Sequence, residues 1–400
     1  MLHVVSLSKA FEIIDKNLHA SDLPTENVPL ALSAGRTLAE DITGRENVPA
    51  FDRSTMDGYA VRAEDTFGAG ETLPAMLQIA GEVKMGEKTD LALLPGACVK
   101  IPTGGMLPAG ANAVVPVEYT DETANGLLLC YRAVSPGENV TRAGDDVCVG
   151  QTVLPEGTQL SPANIGVLAA MGITLVPVYR RPAVGILSTG SELVPADMQP
   201  ETGEVRDVNA PMLAALFENC GCVCTQYGII PDDEALILQT LARAAKENDV
   251  VLLSGGSSAG EADKTAEVLS RLGTVYCHGI AVKPGKPTVL GRINNTAVFG
   301  LPGHPAACYF MASLLVKRHI EALLRLSRAS RTAQAVLAEH VSSNHGREEL
   351  LCVRLANAEA IPVYGKSGVI SLLSAADGFI LIPRDCEGLQ RGASVEVRMF

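Results

Sequence analysis

The central part of the chain, residues 180 to 328, alternates short apolar runs with longer stretches of helical composition. The apolar runs are Val184–Leu187, Val223–Ile230, Val250–Leu253 and Ala297–Gly300. The helical stretches are residues 210–220, 234–247 and 264–272. Asn209 is a plausible N-cap for the first of them, and Gly221 stands where a helix commonly ends in glycine. Strands that alternate with helices of this length predict a parallel-type sheet with helices on both faces.

The loops that follow these four apolar runs are rich in glycine and carboxylates. They are Ser188-Thr189-Gly190-Ser191-Glu192, Pro231-Asp232-Asp233, Gly255-Gly256-Ser257-Ser258-Ala259-Gly260-Glu261-Ala262-Asp263 and Leu301-Pro302-Gly303-His304-Pro305. In a parallel sheet all loops that leave the carboxyl ends of strands emerge at one edge. Glycines there let an anion approach backbone N–H groups closely. The pattern therefore predicts one binding site built by four loops that are distant in sequence.

Outside this region the pattern changes twice. Residues 6–20 and 164–171 have helical periodicity, and a longer helix is predicted from Pro305 through Leu326. Residues 48–140 consist of short apolar segments separated by Gly and Pro, such as 111–117 and 127–131, which indicates a β-rich module. After residue 332, apolar segments at 349–355, 369–373, 379–383 and 393–399 predict a small C-terminal barrel or sandwich. We expect a helical domain from 1–47 and 141–178, a β-rich insert at 48–140, an αβα domain at 179–328 and a β domain at 329–400.

Composition narrows the choice of partners. A chain of 400 residues with 47% hydrophobic residues has room for more than one core. No apolar run approaches the ~18 residues of a membrane span, and the start lacks the features of a signal peptide, so we expect a soluble, cytoplasmic protein that does not bind membranes. The ten cysteines follow no framework and are expected to be reduced thiols.

The charge of the chain constrains how an anion is bound. A formal net charge of −13 argues against nucleic acid as a partner, because neutralising phosphates requires a basic face. An anionic ligand must instead be held locally by backbone N–H groups, by a few lysines, or by a divalent cation on carboxylates.

A series of motifs identifies the family. The segment Pro49-Ala50-Phe51-Asp52-Arg53-Ser54-Thr55-Met56-Asp57-Gly58-Tyr59-Ala60-Val61-Arg62 resembles the signature of the MoeA family of molybdopterin molybdenumtransferases, which includes the gephyrin E domain. The resemblance continues in order through Pro102-Thr103-Gly104, Arg142-Ala143-Gly144-Asp145-Asp146, Ser188 to Leu193, Gly255-Gly256, Lys283-Pro284-Gly285-Lys286-Pro287 and Leu301-Pro302-Gly303. It extends into the tail from Gly346 to Arg398 and so covers nearly the whole chain.

The resemblance implies a fold and an activity. The fold has a three-layer αβα molybdopterin-binding domain, a β-rich inserted domain, a helical linker domain and a C-terminal β-barrel-like domain. The activity is Mg²⁺-dependent insertion of molybdate into adenylylated molybdopterin with release of AMP, in molybdenum cofactor biosynthesis. The resemblance also implies a homodimer, whose site lies between the αβα domain of one subunit and the β-rich domain of the other. A molybdopterin adenylyltransferase would supply the substrate.

Carried over by position, the resemblance also implies site residues. The catalytic carboxylates are Asp57, Asp146, Glu192, Asp232 and Asp263, of which Glu192, Asp232 and Asp263 would bind the metal. The substrate-binding residues are Ser188, Thr189, Gly190, Gly255, Gly256, Ser258, Gly260, Lys283, Lys286, Pro302 and Pro305.

The chain departs from the family pattern at three places. A lysine commonly found four residues before Lys-Pro-Gly is Gly279 here, preceded by His278. His304 replaces the asparagine of Leu-Pro-Gly-Asn-Pro, and the loop after Gly256 contains Ser258-Ala259-Gly260 in place of Ser-Val-Gly. The loss of one cation at Gly279 could weaken anion binding.

Several residues also have plain structural interpretations. Asp263 is a possible N-cap for a helix that begins at Lys264, and Asp232 or Asp233 for one that begins near Glu234. The lysines around Pro284-Gly285 could form a solvated turn or an anion clamp. Cys220, Cys222 and Cys224 are more commonly small buried hydrophobes than metal ligands.

Two other functions compete with metal insertion. One is an adenylyltransferase that shares only the αβα domain, which the Asp57 motif and the C-terminal β module disfavour. The other is a molybdopterin-binding paralogue or scaffold with weak or no turnover, for which Gly279 is the best support.

Overall fold

The computed structural model describes residues 4–18, 22–255, 259–326 and 331–400, of which residues 259–263 are described by their backbone alone. The chain divides into two compact units. The first contains Met1–Ala39, Glu156–Ser161 and Val176–Phe400, and the second contains Glu40–Pro155 and Pro162–Leu175.

The helices agree with the predicted periodicity in most places. They are α1 (Leu7–Asn17), α2 (Pro162–Ala170), α3 (Asn209–Asn219), α4 (Glu234–Glu247), α5 (Ala259–Leu272), α6 (Pro305–Met311), α7 (Lys317–Leu323) and α8 (Ser371–Ser374). Helix α1 begins after Ser6, whose hydroxyl accepts a hydrogen bond from Lys9 N. The long helix predicted after Pro305 consists of α6 and α7 joined by a π-helical segment, Ala312–Val316. Each described helix is either too short or too polar to cross a lipid bilayer.

The first unit contains a six-stranded sheet. Its strands lie in the spatial order Val223–Ile230, Ala183–Thr189, Val250–Gly255, Thr296–Leu301, Val289–Ile293 and Thr274–His278. The first four strands are parallel, as predicted, and Val289–Ile293 runs antiparallel to both of its neighbours, Thr296–Leu301 and Thr274–His278. The reversal follows from the two-residue loop between Ile293 and Thr296, because so short a loop can only join antiparallel strands.

Helices cover both faces of this sheet, and alternate residues of the strands point to opposite cores. Val184, Ile186 and Phe299 pack in one core with α1, α3, α6 and α7. Leu187 and Val298 pack in the other core with α4 and α5. This two-sided burial explains why the strands are continuous apolar runs, as is typical of parallel sheets. The three-layer αβα domain is therefore confirmed.

The ends of α3 correct one prediction and confirm another. Asn209 is not the N-cap, because it is already in the helix. Asp207 does the capping instead: its Oδ1 accepts hydrogen bonds from Asn209 N at 3.0 Å and Ala210 N at 3.1 Å. At the other end, Gly221 has φ +84° and Cys222 N donates to Phe217 O, which is the expected glycine-terminated end.

The structure also decides the N-caps predicted for α4 and α5. Asp233 is the N-cap of α4, with its Oδ1 accepting from Leu236 N at 3.1 Å. The interpretation of Asp263 as an N-cap is wrong, since α5 already begins at Ala259.

The second unit contains the predicted β-rich module. Its six strands lie in the order Ala113–Pro116, Gly58–Val61, Ala97–Ile101, Ala75–Glu82, Leu127–Cys130 and Thr120–Glu122. Two short pairs, Arg53–Ser54 with Val140–Thr141 and Ile42–Thr43 with Thr152–Leu154, complete it. Tyr59 and Val61 are buried on one face of the sheet, and Ala60 on the other.

The C-terminal strands close into a barrel within the first unit. The strands Glu348–Ala356, Glu359–Pro362, Thr332–Leu337, Ser394–Met399 and Gly378–Ile382 pair in that order, and the last also pairs with the first. Val282–Lys283 joins the barrel beside Glu348–Ala356. The predicted strand at 369–373 is wrong, because this segment contains a turn followed by the short helix α8. Periodicity alone does not separate a short apolar strand from a helix segment.

The remaining small pairs lie mostly in the first unit. They are Thr25–Pro29 with Leu175–Tyr179, Leu193–Val194 with Val205–Arg206, and Val341–Ser342 with Gly388–Leu389.

Candidate functional site

Four strands of the αβα sheet end at one edge. Because they are parallel, the loops after Thr189, Ile230, Gly255 and Leu301 emerge on the same side. The prediction that four separate loops share an edge is confirmed. Gly256 and Ser258 lie outside the described residues, and Gly260 and Asp263 are described by their backbone alone.

Glycine is required where two of these loops begin. Gly255 has φ +156°, and a Cβ built there would lie 2.1 Å from Thr189 Oγ1 and 2.3 Å from Thr189 O. Gly190 has φ +149°, and a Cβ there would lie 2.7 Å from Glu192 Oε2. Gly255 thus packs directly against the backbone of Thr189, whereas at Gly190 the positive φ and the Glu192 carboxylate disfavour a side chain.

Two polar residues at the ends of these strands are buried. Ser188 is fully buried, and its hydroxyl lies 3.5 Å from Ser254 Oγ inside the sheet. Thr189 is 7% exposed and lines a small cavity with Asp232, Leu253 and Lys264. The side chains of Ser188 and Thr189 are thus largely withdrawn from solvent, whereas Asp232 and Lys264 are exposed.

Ser191 joins two of the edge loops. Both Ser191 N and Ser191 Oγ lie 3.2 Å from Asp232 Oδ2 and donate to it, and Asp232 N lies 3.3 Å from Ser191 Oγ. Asp232 is thereby held beside the loop that carries Glu192, and both carboxylates are exposed. Asp233, the neighbouring carboxylate, is occupied by capping α4.

The edge offers oxygen ligands for a hard cation. Among the described residues, no three His, Cys, Asp or Glu side chains come together closely enough to hold a metal ion. The side chain of Asp263, the third predicted metal ligand, lies outside the described part of the structure. Glu192 and Asp232 are the two predicted metal ligands whose side chains the structure describes.

The two lysines of the Lys283-Pro284-Gly285-Lys286 loop differ in their surroundings. Lys283 Nζ lies 2.8 Å from Glu349 Oε1 in an ion pair, whereas the Lys286 side chain is exposed and makes no ion pair in the described part of the chain. Gly285 has φ +128°, and a Cβ there would lie 2.7 Å from Met311 Sδ. Gly279 has φ +111°, a conformation in which a lysine side chain would be strained.

The Pro302 loop contacts two other segments. Asn209 Nδ2 donates to Gly303 O at 2.9 Å, and Ala306 N donates to Ser367 O at 3.1 Å. Pro302 is buried, and Pro305 is the first residue of α6. His304 is exposed and lines a groove between α6 and the C-terminal barrel.

The second unit brings together three segments around Asp57. Asp57 Oδ1 accepts hydrogen bonds from Thr103 N at 2.7 Å and from Thr103 Oγ1 at 2.9 Å. These bonds, the backbone one foremost, hold the pKa of Asp57 below its usual value. The carboxylate is therefore kept ionised.

Asp146 belongs to the same loop assembly. Its backbone N donates to Val48 O at 3.0 Å, and its side chain is exposed. Asp52 Oδ1 accepts from Ala143 N at 2.8 Å and so ties the segment before Asp146 to the Asp57 motif. The structure thus brings the Asp57 motif, the Thr103 turn and the Asp146 segment together, although they are far apart in sequence.

Sequence reasoning missed the residues that hold the carboxylates and lysine in place. They are Asp52, Thr103, Ser191 and Glu349. Asp52, Thr103 and Ser191 lie inside the family motifs, which predicted that their loops belong to the site. The motifs did not predict that these residues hold other site residues in place. Glu349 carried no signal beyond its place in a predicted strand.

The cysteine cluster behaves as buried hydrophobes. Cys222 is 3% exposed, and burial raises the pKa of Cys220, Cys222 and Cys224. Protonated thiols are poor metal ligands, which agrees with the structural interpretation.

Three family models match the chain in succession. Residues 5–172 match the MoeA N-terminal region (domains I and II), residues 185–322 match the probable molybdopterin binding domain, and residues 334–400 match the MoeA C-terminal region (domain IV). Together they span most of the sequence in the order that the motifs predicted.

Individual relatives are similar over more than two thirds of this chain. The molybdopterin molybdenumtransferase of Bacillus subtilis is 34% identical over 94% of this chain and 90% of its own length. That of Haemophilus influenzae is 38% identical over 71% of this chain and 69% of its own. The crystal structure of a molybdopterin biosynthesis MoeA protein from Pyrococcus horikoshii superimposes with a TM-score of 0.88 at 34% identity, covering 99% of this chain and 100% of that one. With its three matched regions, its relatives and its fold in agreement, this chain belongs to the MoeA family of molybdopterin molybdenumtransferases.

Proposed function

We propose that this protein inserts molybdate into adenylylated molybdopterin in a Mg²⁺-dependent reaction that releases AMP. The observation that carries the proposal is the edge of the αβα sheet. There, Glu192 and Asp232 lie beside the Gly190-Ser191 turn, and Gly255 packs directly against Thr189. Family membership supports the reaction class, and the edge supplies groups suited to a phosphate-containing anion.

The carboxylates have distinct proposed roles. Mg²⁺ is commonly held by one or two carboxylates together with waters and substrate phosphates, so Glu192 and Asp232 fit it, and Asp263 is proposed as a third ligand. When bound, the ion neutralises charge on the phosphate and orients an attacking water. Asp57 and Asp146 are proposed catalytic carboxylates, and the Thr103 hydrogen bonds keep Asp57 ionised for such a role.

The remaining site residues are proposed to bind and orient the substrate. Backbone groups of the edge loops would hold it through Ser188, Thr189, Gly190, Gly255, Gly256, Ser258 and Gly260. Lys283 and Lys286 would contact anionic oxygens, and Pro302 and Pro305 would fix the shape of the last loop. Lys286 is exposed, and Lys283 retains two N–H donors beyond the one used by Glu349.

The proposal extends to the assembly and its surroundings. We propose a homodimer, the commonest symmetric oligomer, in which the β-rich module of the partner subunit completes the site. A molybdopterin adenylyltransferase in the cytoplasm would supply the substrate. We also propose four domains: a helical domain from 1–47 and 141–178, a β-rich domain at 48–140, an αβα domain at 179–328 and a β domain at 329–400.

The test is reconstitution. Purified protein is mixed with adenylylated molybdopterin, Mg²⁺ and molybdate, and both AMP and molybdenum cofactor are measured. We expect Asp57→Asn, Glu192→Gln and Asp232→Asn each to lower AMP release at least about tenfold, equivalent to ~1.4 kcal/mol of barrier. AMP release that does not depend on Mg²⁺, or that survives all three substitutions, would contradict the proposal.

The backbone at Gly279 supports a second candidate function, a molybdopterin-binding paralogue or scaffold, which the same reconstitution tests. The backbone at Gly279 has φ +111°, so the extra lysine of relatives is absent and would be strained there. The variant Gly279→Lys is consequently not expected to tighten substrate binding. Tight binding of molybdopterin with no AMP release would indicate a binding paralogue or scaffold.

A further inference from the structure

Lys283 and Glu349 face each other across two paired strands. Val282–Lys283 runs parallel to Glu348–Ala356, and the two residues are direct partners in the register. Lys283 Nζ lies 2.8 Å from Glu349 Oε1. The pair therefore links the proposed anion-binding loop to the C-terminal barrel.

Glu349 is held at both of its oxygens. Ser343 Oγ donates to Oε2 at 2.7 Å, and the side chain is only 18% exposed. Burial by itself would raise the pKa of Glu349, but the hydrogen bonds from Lys283 and Ser343 outweigh it and hold the pKa below its usual value. Glu349 is a fixed negative charge in this position.

The pair lines a groove of about 740 Å³, a volume suited to a small-molecule ligand. The polar side chains of the groove include Lys283, Lys366 and His304, which lie on several different segments. Among the described residues that line it, Glu349 is the one carboxylate. Cationic groups that line a groove in an acidic chain favour anions there by local electrostatic attraction, and the charge of Glu349 opposes that attraction.

We propose that Glu349 is a positioning residue that holds Lys283 in the groove and weakens the binding of oxyanions there. The inference rests on the proposed function, because it takes Lys283 as a contact of the anionic substrate. An ammonium group has three donors, so Lys283 can keep its bond to Glu349 and still donate to a bound oxyanion. The carboxylate then lies close to the oxyanion and repels it, which favours release and discourages stray anions.

The test separates charge from hydrogen bonding. Glu349→Gln keeps an oxygen that can accept from Lys283 but removes the negative charge. Calorimetric titration with sodium molybdate is expected to give a Kd about five- to tenfold lower than in the wild type. In AMP-release assays the KM for molybdate should fall while kcat stays the same or decreases. Glu349→Asp should restore wild-type affinity.

Control variants test whether the tighter molybdate binding comes from the Lys283–Glu349 pair. Glu359→Gln removes one exposed charge from the same barrel, away from the groove, and should leave the Kd unchanged. In a Lys283→Ala background, Glu349→Gln should no longer tighten the binding of molybdate.

If Glu349 served only to hold two strands together, the melting temperature of Glu349→Gln would fall while its Kd for molybdate stayed unaltered, and the inference would be overturned. It would also be overturned by tightening that persists without Lys283. If wild type and Lys283→Ala bind molybdate equally, the proposed anion role of Lys283 fails instead.

Discussion

Ser191 and Asp232 form a reciprocal pair at the edge of the αβα sheet. Two donors of Ser191 point to Asp232 Oδ2, and Asp232 N donates back to Ser191 Oγ at 3.3 Å. The two residues lie on loops after adjacent strands, so the pair fixes the spacing of those loops. It also orients a carboxylate proposed to bind Mg²⁺.

Ser191→Ala is expected to lower AMP release about three- to tenfold at limiting Mg²⁺. The variant removes one hydrogen bond to Asp232 and the acceptor for its backbone N–H, each worth about 0.5–1.5 kcal/mol. The measurement is a Mg²⁺ titration of AMP release. Ser191→Thr keeps the hydroxyl and should be close to wild type. If alanine and threonine behave alike, Asp232 is not positioned by this hydroxyl.

Thr103→Val is expected to raise the pKa of Asp57 towards its ordinary value of about 3.9. The substitution removes the Oγ1 donor and leaves the backbone donor, so the rise should be partial. Because the folded-state pKa is lowered, the stabilisation by these bonds is present above the unfolded pKa and is lost as the pH falls through the folded pKa. NMR titration of the Asp57 carboxyl carbon measures the change. Thr103→Ser is the control, and an equal shift in both variants would count against the role of the hydroxyl.

Gly255→Ala is expected to destabilise the fold by more than about 2 kcal/mol. Its Cβ would overlap Thr189, its register partner in the buried sheet, and the clash involves backbone atoms that cannot move aside. The free energy of unfolding in urea gives the measurement. Gly166→Ala in α2 is the matched control, because nothing lies within 4 Å of the added carbon. A helix interior favours alanine over glycine by about 1 kcal/mol, so this control should be neutral or stabilising.

Asp207→Ala is expected to cost about 1–2 kcal/mol of stability, since it removes the acceptor for two N–H groups at the start of α3. Asp207→Asn keeps an acceptor oxygen and should lose less. Both are compared by urea unfolding. Asn209→Ala would show no comparable loss of capping, because Asn209 makes no cap; any loss there would reflect its bond to Gly303 O.

The sequence by itself determined most of the helices and strands and the family to which the chain belongs, although a helix formed where a strand was predicted at 369–373. Continuous apolar runs, helical periodicity and residues such as Gly221 and Asp233 act through the nearest few residues of backbone, so their pattern is readable before folding. The motifs around Asp57, Glu192 and Lys283 likewise identified the loops that carry polar groups.

Tertiary structure decided what those groups contact. The antiparallel edge of the sheet, the closure of the barrel, and the pairs Asp57 with Thr103 and Lys283 with Glu349 all join residues distant in sequence. Local pattern fixes the conformation of a segment, but strand order and register determine which segments become neighbours. From sequence, Lys283 and Lys286 could form a solvated turn or an anion clamp. In the structure Lys286 is exposed and Lys283 is paired with a carboxylate, because the strand beside Lys283 carries Glu349 at the facing position.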